Sequence, residues 1–327
     1  MSQIAAALTP ALARIVTIPE VTYGVTPTTG TGFQRAAIPP FSFGPIDGMT
    51  DVMEVGDARV NSRDPTFIGQ TLLAPVGTLP ILLDLENIDW MLRLILGNPT
   101  QVAGSGPTAG LTQNSYQSGG AVGSDSLQYT LNDEVRRCSG VACDSFSLPL
   151  GKVDGIRRLD CSMIAREVLR NPGAWTPANS PTARPTPYYV PGWASTMTVN
   201  GTPVPIEDGT LNFANNFVRR QETNGSRFTS DAVGGITTCS GEFRLALRNA
   251  AQLAAFAGST TSVALTFQFR PSSTDERRLT FTLPRAFVMV PDLEVSDGPA
   301  TVTCSFDAKS PLTGSVGMLA AELWHTT

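Results

Sequence analysis

The groups that could do chemistry in this sequence are few and scattered. A nucleophile–histidine site needs an imidazole held by its neighbours. The one histidine, His325, stands beside the C-terminal end, on a segment expected to fray. The five cysteines, Cys138, Cys143, Cys161, Cys239 and Cys304, are odd in number. Cys138-x4-Cys143 has no second pair at zinc-finger spacing. They read as small apolar groups on strands, reduced in an intracellular product. Gly104-Ser-Gly-Pro-Thr-Ala-Gly110 is glycine-rich but has neither the lysine nor the preceding strand of a phosphate loop. Asp47-Gly-Met-Thr-Asp51 and Asp154-Gly155 hold turn residues without the alternating acids of a calcium loop. Paired carboxylates for glycoside chemistry lack an accompanying Trp/Tyr platform. The sequence thus points to no catalytic residue, no cofactor and no metal, and away from an enzyme.

What remains is charge. Arginines recur as pairs, Arg136-Arg137, Arg157-Arg158, Arg219-Arg220 and Arg277-Arg278, while lysine is confined to Lys152 and Lys309. The weakly hydrated, bidentate guanidinium suits interfaces. Asp133-Glu-Val-Arg-Arg137 and Asp275-Glu-Arg-Arg278 are mixed-sign turns. They read as solvated salt bridges or, more sharply, as ion pairs between subunits. The assembly-interface candidates are Arg219, Arg220, Asp275, Glu276, Arg277 and Arg278. A protein that grips nucleic acid shows a basic patch, whereas the formal net charge here is −5.

The elements that would carry these groups are strands. The charged fraction is 16%, low for a globular chain, and Gly (30) and Pro (25) are abundant. Many short strands joined by turns fit this better than long helices. Residues 1–13 read as an arm. Strands are expected at 14–19, 52–61, 71–85, 127–131, 141–148 and 156–167. Ile88, Met91, Leu92 and Ile95 have the spacing of a helical core stripe, with Asn87 as the expected N-cap and Gly97 as the stop. Residues 98–126, polar and without periodicity, read as a long exposed loop. Residues 171–193 hold six prolines and read as a linker between a domain of residues 1–170 and one of 194–327. In the second domain Asn200-Gly201 marks a hairpin. Strands are expected at 210–220, 236–247, 263–270, 278–290 and 300–309, with a helix over 250–257 between Asn249 and Gly258. No apolar run reaches 18 residues, so no membrane helix is expected.

The two halves resemble each other. Leu79-Pro-Ile-Leu-Leu-Asp-Leu-Glu-Asn87, a short apolar helix and Gly97 match Gly241-Glu-Phe-Arg-Leu-Ala-Leu-Arg-Asn249, a helix and Gly258. Gly97 and Gly258 lie 161 apart, as do Arg59 and Arg220. Phe146-Ser-Leu-Pro149 then matches Phe281-Thr-Leu-Pro284, and Cys161-Ser-Met-Ile-Ala-Arg166 matches Cys304-Ser-Phe-Asp-Ala-Lys309. Four matches in one order indicate tandem copies of a β-sandwich with a flanking helix. Chance recurrence of strand–helix–Gly is the competing account.

Glu20-Val-Thr-Tyr-Gly-Val-Thr-Pro27 resembles the Glu-x-x-Tyr-Gly-x-x-Pro opening of tail tube (major tail) proteins of long-tailed, non-contractile bacteriophages. Leu83 to Gly97 and the closing Leu279-Thr-Phe-Thr-Leu-Pro-Arg285 with Cys304 to Ala308 continue the resemblance. It implies a mainly β (α+β) fold of two tandem tail-tube-like sandwich or barrel domains, packed as rings that stack into a hollow tube. The implied partners are further copies of the chain, other tail proteins and DNA passing without sequence-specific contact. The implied location is the virion tail, after assembly in the host cytoplasm. A duplicated subunit suggests three copies with pseudo-six-fold symmetry, a hexamer being the alternative. An acidic chain suggests a negative lumen that repels phosphates. The alternative class is a β-rich baseplate or adhesin module that binds a glycan or receptor through Trp175, Tyr188, Tyr189 and Trp193.

Overall fold

The computed structural model describes residues 14–35, 42–44, 49–52, 67–70, 73–103, 110–131, 134–222, 226–246, 262–290, 301–311 and 317–326. The arm and the expected helix over 250–257, with Asn249 and Gly258, lie outside them.

The first half holds β1 (Arg14–Pro19), β2 (Phe33–Arg35), β3 (Ser42–Gly44), β4 (Met49–Val52), β5 (Phe67–Gln70) and β6 (Val76–Leu82). Helix α1 (Asp89–Leu96) follows, then β7 (Thr100–Ala103), β8 (Leu111–Gln117), β9 (Asp125–Leu131), β10 (Glu134–Pro149), β11 (Arg158–Ile164) and β12 (Glu167–Arg170). A one-turn helix α2 (Thr176–Asn179) precedes the second half. That half holds β13 (Ser195–Val199), β14 (Thr202–Val204), β15 (Ile206–Ala214), β16 (Val218–Arg220), β17 (Asp231–Val233) and β18 (Thr238–Ala246). It ends with β19 (Val263–Phe269), β20 (Arg278–Met289), β21 (Thr301–Ala308) and β22 (Ala320–Thr326).

The protein is mainly β, as expected, and its large sheet is antiparallel. The strand order in the first half is β2-β1-β9-β10-β11-β6-β3. In the second half it is β14-β13-β19-β20-β21-β18-β15. Each order visits the strands in the same chain sequence. β12 lies along the first part of β10, and β22 along the first part of β20. Each half also carries a separate ribbon at the same point of its order, β4·β5 and β16·β17. Among the described residues α1, the β7·β8 hairpin and α2 have no counterpart in the second half.

The halves are joined by pairing. β10 accepts β15, with Phe146 opposite Phe213 and Leu148 opposite Leu211, and β8 pairs with β22. No circuit of these pairings closes, so the sheet is open rather than a barrel. One apolar core runs through both halves, from Leu79 and Phe146 to Phe281 and Phe306.

Several expectations need correction. The described parts of 98–126, residues 98–103 and 110–126, hold β7, β8 and the start of β9 rather than a continuous exposed loop, with Leu111, Thr112, Asn114 and Tyr116 buried. Their polar side chains masked a strand whose partner, β22, lies more than two hundred residues away. That same β22 carries His325, so the C-terminal segment is paired rather than frayed. Asn87 does not cap α1. Ile88 occupies the cap position without a side-chain bond, and Asn87 donates its amide to Asp84 Oδ2 at 2.6 Å. Gly97 stops the helix as expected, with φ 94° and its N–H on Arg93 O. Residues 171–193 are packed: Trp175 and Val190 are buried, and Val190 exchanges backbone bonds with Leu83 and Arg157.

Candidate functional site

Eight strands form one continuous run across both halves: β3-β6-β11-β10-β15-β18-β21-β20. Period-two alternation gives this run two unlike faces. One carries Leu79, Cys161, Phe146, Phe213, Phe243 and Phe306, all buried in the core. The other carries Thr78, Ser162, Ser147, Thr210, Asn212 and Ser240, then Thr301, Thr303 and Ser305, all exposed or half-buried. Aromatic residues are missing from this second face between β6 and β21. Its charges there are Arg158 and Arg244 against Asp160, Asp208, Glu242 and Asp307, and both arginines are paired. Arg158 lies 3.4 Å from Asp160, Arg244 3.1 Å from Glu207, and Asp307 2.5 Å from Lys309. The face offers hydroxyls and neutralised charge, with no unopposed cation cluster to hold a polyanion. Sequence reading missed it. The signal was the hydroxyl alternation Thr301-x-Thr303-x-Ser305-x-Asp307, which counts only once the sheet's curvature and extent are known.

The joint inside this run is held by Arg157. Its side chain is fully buried and donates to the carbonyls of Pro149, Gly151 (2.7 Å) and Gly192, and to Ser195 Oγ (3.3 Å). Its guanidinium lies over the Phe269 ring at 5.1 Å. No carboxylate pairs with it in the described residues, and burial pushes its pKa down to about 10, so it stays cationic at neutral pH. It ties the end of β10 to the segment that enters the second half.

The Glu20–Pro27 loop is held by its own signature residues. Glu20 accepts from Gly24 N (2.8 Å), Ser124 Oγ (2.6 Å), Ser126 Oγ (2.6 Å) and Gly140 N (2.8 Å). Gly140 has φ 63°, and a Cβ there would lie 2.8 Å from Arg166 Cβ and 3.0 Å from the Tyr23 ring. Arg166 donates to Gly24 O (2.9 Å) and, across to the second half, to Thr229 O (3.1 Å). Pro27 O accepts from Trp175 Nε1 at 2.7 Å.

The interface candidates fall at three places. Arg219 and Arg220 sit on β16, where Arg219 donates to Pro75 O at 2.9 Å and Arg220 is exposed. Arg277 stacks on Tyr188, with its guanidinium carbon 3.2 Å from the ring centroid, and pairs with Asp275 (3.2 Å) and Glu86 (3.8 Å). Burial raises the Asp275 pKa, but the bonds from Arg277 and Tyr188 outweigh it and hold the carboxyl below its usual range. Arg278 lies over the Trp324 ring at 4.7 Å, and Glu276 has one carboxylate oxygen buried without a partner. The structure thus brings Asp275, Glu276 and Arg277 together and leaves the β16 pair apart.

Of the aromatics considered for glycan binding, Trp175 is buried, Tyr188 and Tyr189 are half-buried and Trp193 is exposed, so they form no open platform. Burial pushes up the thiols of Cys138, Cys239 and Cys304. Among the described residues no cluster of three His/Cys/Asp/Glu could hold a metal, and no helix is long and apolar enough to cross a membrane.

A family described as phage tail tube protein matches residues 10–221, about two thirds of the chain. No curated protein matches the sequence.

Proposed function

The chain belongs to the phage tail tube protein family, and from that premise we propose that it builds stacked rings of three copies whose inner wall is the hydroxyl-rich face of the eight-strand run. It is a structural component of the phage tail, and it associates with itself and with other tail proteins. The observation that carries the finer reading is the strand order repeated in the two halves. Two like units per chain let three chains present six like positions, one domain (1–170) alternating with the other (194–327) across the segment 171–193.

The size of the wall is consistent with a conduit. Three copies of the eight-strand run make roughly 24 strands, and at about 4.8 Å per strand the backbone would measure at least about 37 Å across. Barrels of 16–18 strands already enclose an aqueous channel. Chemistry suits passage as well. Acids modestly outnumber arginines on the face, and the arginines are opposed by carboxylates. DNA would therefore meet a surface that solvates without gripping. The exposed Arg220 is the candidate from the arginine pairs that we place at a contact between copies.

Negative-stain micrographs of purified protein test the reading. Rings or tubes with three-fold or pseudo-six-fold end views are expected. A species that stays monomeric at high concentration would sink it, and a true six-copy ring would remove the three-copy assignment.

A further inference from the structure

The four aromatics weighed for glycan binding form no shared platform, but Trp193 stands at a cavity of its own. It is 64% exposed, while Trp90, Trp175 and Trp324 are buried. A tryptophan left in water on a fixed backbone is the kind of anchor that binding surfaces use. The backbone that presents it is fixed. Val153 N donates to Gly192 O (3.2 Å), Gly192 N to Gly155 O (2.8 Å) and Ala194 N to Pro191 O (3.0 Å). A Cβ at Gly192 would run into Val153 O, so this close approach needs glycine.

Beside the indole lies a cavity of about 320 Å³, lined also by Thr196, Gln268, Arg270 and the exposed Ser272 and Ser273. That is the small end of the range of ligand pockets, about 300–1,000 Å³, and suits one ring rather than a length of chain. No carboxylate lines it. Arg270 donates its Nε to Ser272 O (2.8 Å), and no acceptor reaches its two terminal nitrogens among the described residues. Behind the lining, Ser195 Oγ accepts from Arg157, the buried cation that no carboxylate pairs in the described residues. A chain of net charge −5 thus keeps two unopposed cations at one cavity. Alternation places the cavity in the fold. Met197 and Phe267 point into the core, where Phe267 lies 5.9 Å from Phe306 of the eight-strand run, so Thr196 and Gln268 point the opposite way. The cavity and the hydroxyl-rich face therefore lie on opposite sides of the core.

We propose that this cavity is a binding site for an acidic saccharide. The indole stacks on the apolar face of a pyranose ring, Arg270 forks its carboxylate, and Gln268, Thr196 and the two serines take its hydroxyls. The field of Arg157 favours an anion there, and a neutral sugar would leave the Arg270 fork unmet. With the hydroxyl-rich face turned to the lumen, the site opens on the outer side of the tube, within reach of large polymers. Every copy repeats it, so weak single sites add up along one polymer. The outward placement, though not the chemistry, rests on the ring reading above.

Calorimetric titration of the full-length protein tests it, with sodium glucuronate as the small probe and polygalacturonate as the polymer. Glucuronate is expected to saturate one site per chain with a dissociation constant of about 1 mM, as a ligand of this size allows. Glucose and sodium acetate each carry half of the recognised chemistry and are expected to bind at least about ten-fold more weakly. Trp193→Ala and Arg270→Ala should each cost at least about ten-fold in affinity. Both side chains reach the surface, so the melts should stay within about 2 °C of wild type. Trp193→Phe should keep most of the affinity. Acetate that binds as tightly as glucuronate, or polyglutamate as tightly as polygalacturonate, overturns the saccharide assignment. Binding untouched by both alanine variants overturns the site, and the absence of saturable binding to either saccharide overturns the proposal. Assembled tubes should bind polygalacturonate at least as tightly as unassembled chains. Tubes that bind it less tightly overturn the outward placement and leave the tube standing. Protein that forms no tube overturns the ring reading, and titration of the single chain still decides the site.

Discussion

Replacing Glu20 by glutamine tests how the opening loop is held. The carboxylate accepts four hydrogen bonds, and each oxygen takes one backbone N–H and one serine hydroxyl: Gly24 N and Ser124 on one, Gly140 N and Ser126 on the other. An amide keeps one acceptor oxygen. Its NH2 then faces a backbone N–H, which is left without an acceptor, while the displaced serine hydroxyl can turn and accept instead. A stranded N–H costs about 1–3 kcal/mol, and loss of charge assistance on the remaining bonds adds about 1 kcal/mol. Glu20→Gln should therefore destabilise the fold by roughly 2–4 kcal/mol, or about 5–10 °C in Tm for a domain of this size. Ser124→Ala and Ser126→Ala each remove a donor but strand no backbone group, so each should cost only about 1 kcal/mol. Circular-dichroism melts of the three variants give the comparison. A Glu20→Gln melt within about 2 °C of wild type, or serine variants that lose more than it does, would refute the account of the loop.

Three further outcomes follow from the same contacts. Arg157→Met strands the carbonyls of Pro149 and Gly151 at about 2 kcal/mol each, the Gly192 carbonyl keeping its bond from Val153 N, while removing the buried cation relieves about 3 kcal/mol, so a net loss near 1 kcal/mol is expected; a melt above wild type would show that the carbonyls find other partners. Asp275 has a folded pKa below its unfolded value, so its stabilisation is present above about pH 4 and is lost as pH falls through the folded pKa. Asp275→Asn should accordingly flatten the fall of Tm with acidification below pH 4, and a parallel curve would contradict the assignment. The five buried thiols should stay unlabelled by a maleimide at pH 8 in the native protein and react fully in denaturant; rapid labelling of any one natively would contradict its burial.

How much of this the sequence foretells depends on how far apart the partners are. The Asn200-Gly201 hairpin is legible because both positive φ values, 48° and 81°, come from adjacent residues, and α1 is legible from its own stripe and Gly97. β8 and β22 are not, because the pairing that joins them spans more than two hundred residues. The duplication itself is legible in part for the same reason. Cys161-Ser and Cys304-Ser do fall on equivalent strands, β11 and β21, each paired with the strand that opens the first matching block: Cys161 opposite Leu79, Cys304 opposite Phe243. The two Phe-x-Leu-Pro segments do not correspond. Phe146 lies where β10 meets β11 and β15, whereas Phe281 lies where β20 meets β19 and β22. Phe-x-Leu-Pro is a common enough strand pattern to recur without equivalence.

The arginine pairs bear on function in a way their spacing alone does not suggest. Of the paired arginines, Arg137, Arg157 and Arg219 serve backbone carbonyls, on Gly173, on Pro149, Gly151 and Gly192, and on Pro75, while Arg136, Arg158 and Arg277 serve carboxylates; the unpaired Arg166 likewise serves the carbonyls of Gly24 and Thr229. A chain built of short strands leaves many loop carbonyls inside, and a planar fork with five donors can satisfy two or three at once where an ammonium cannot match their geometry. That explains arginine's dominance over lysine without appeal to DNA. It also bears on passage through a tube. Each guanidinium folded onto internal carbonyls is a cation withheld from the hydroxyl-rich face, and those that do reach that face, Arg158 and Arg244, stand beside carboxylates. A wall that let DNA slide would need this arrangement more than it would need a large negative charge. Slow passage comes from attraction at fixed points, and removing those points is enough.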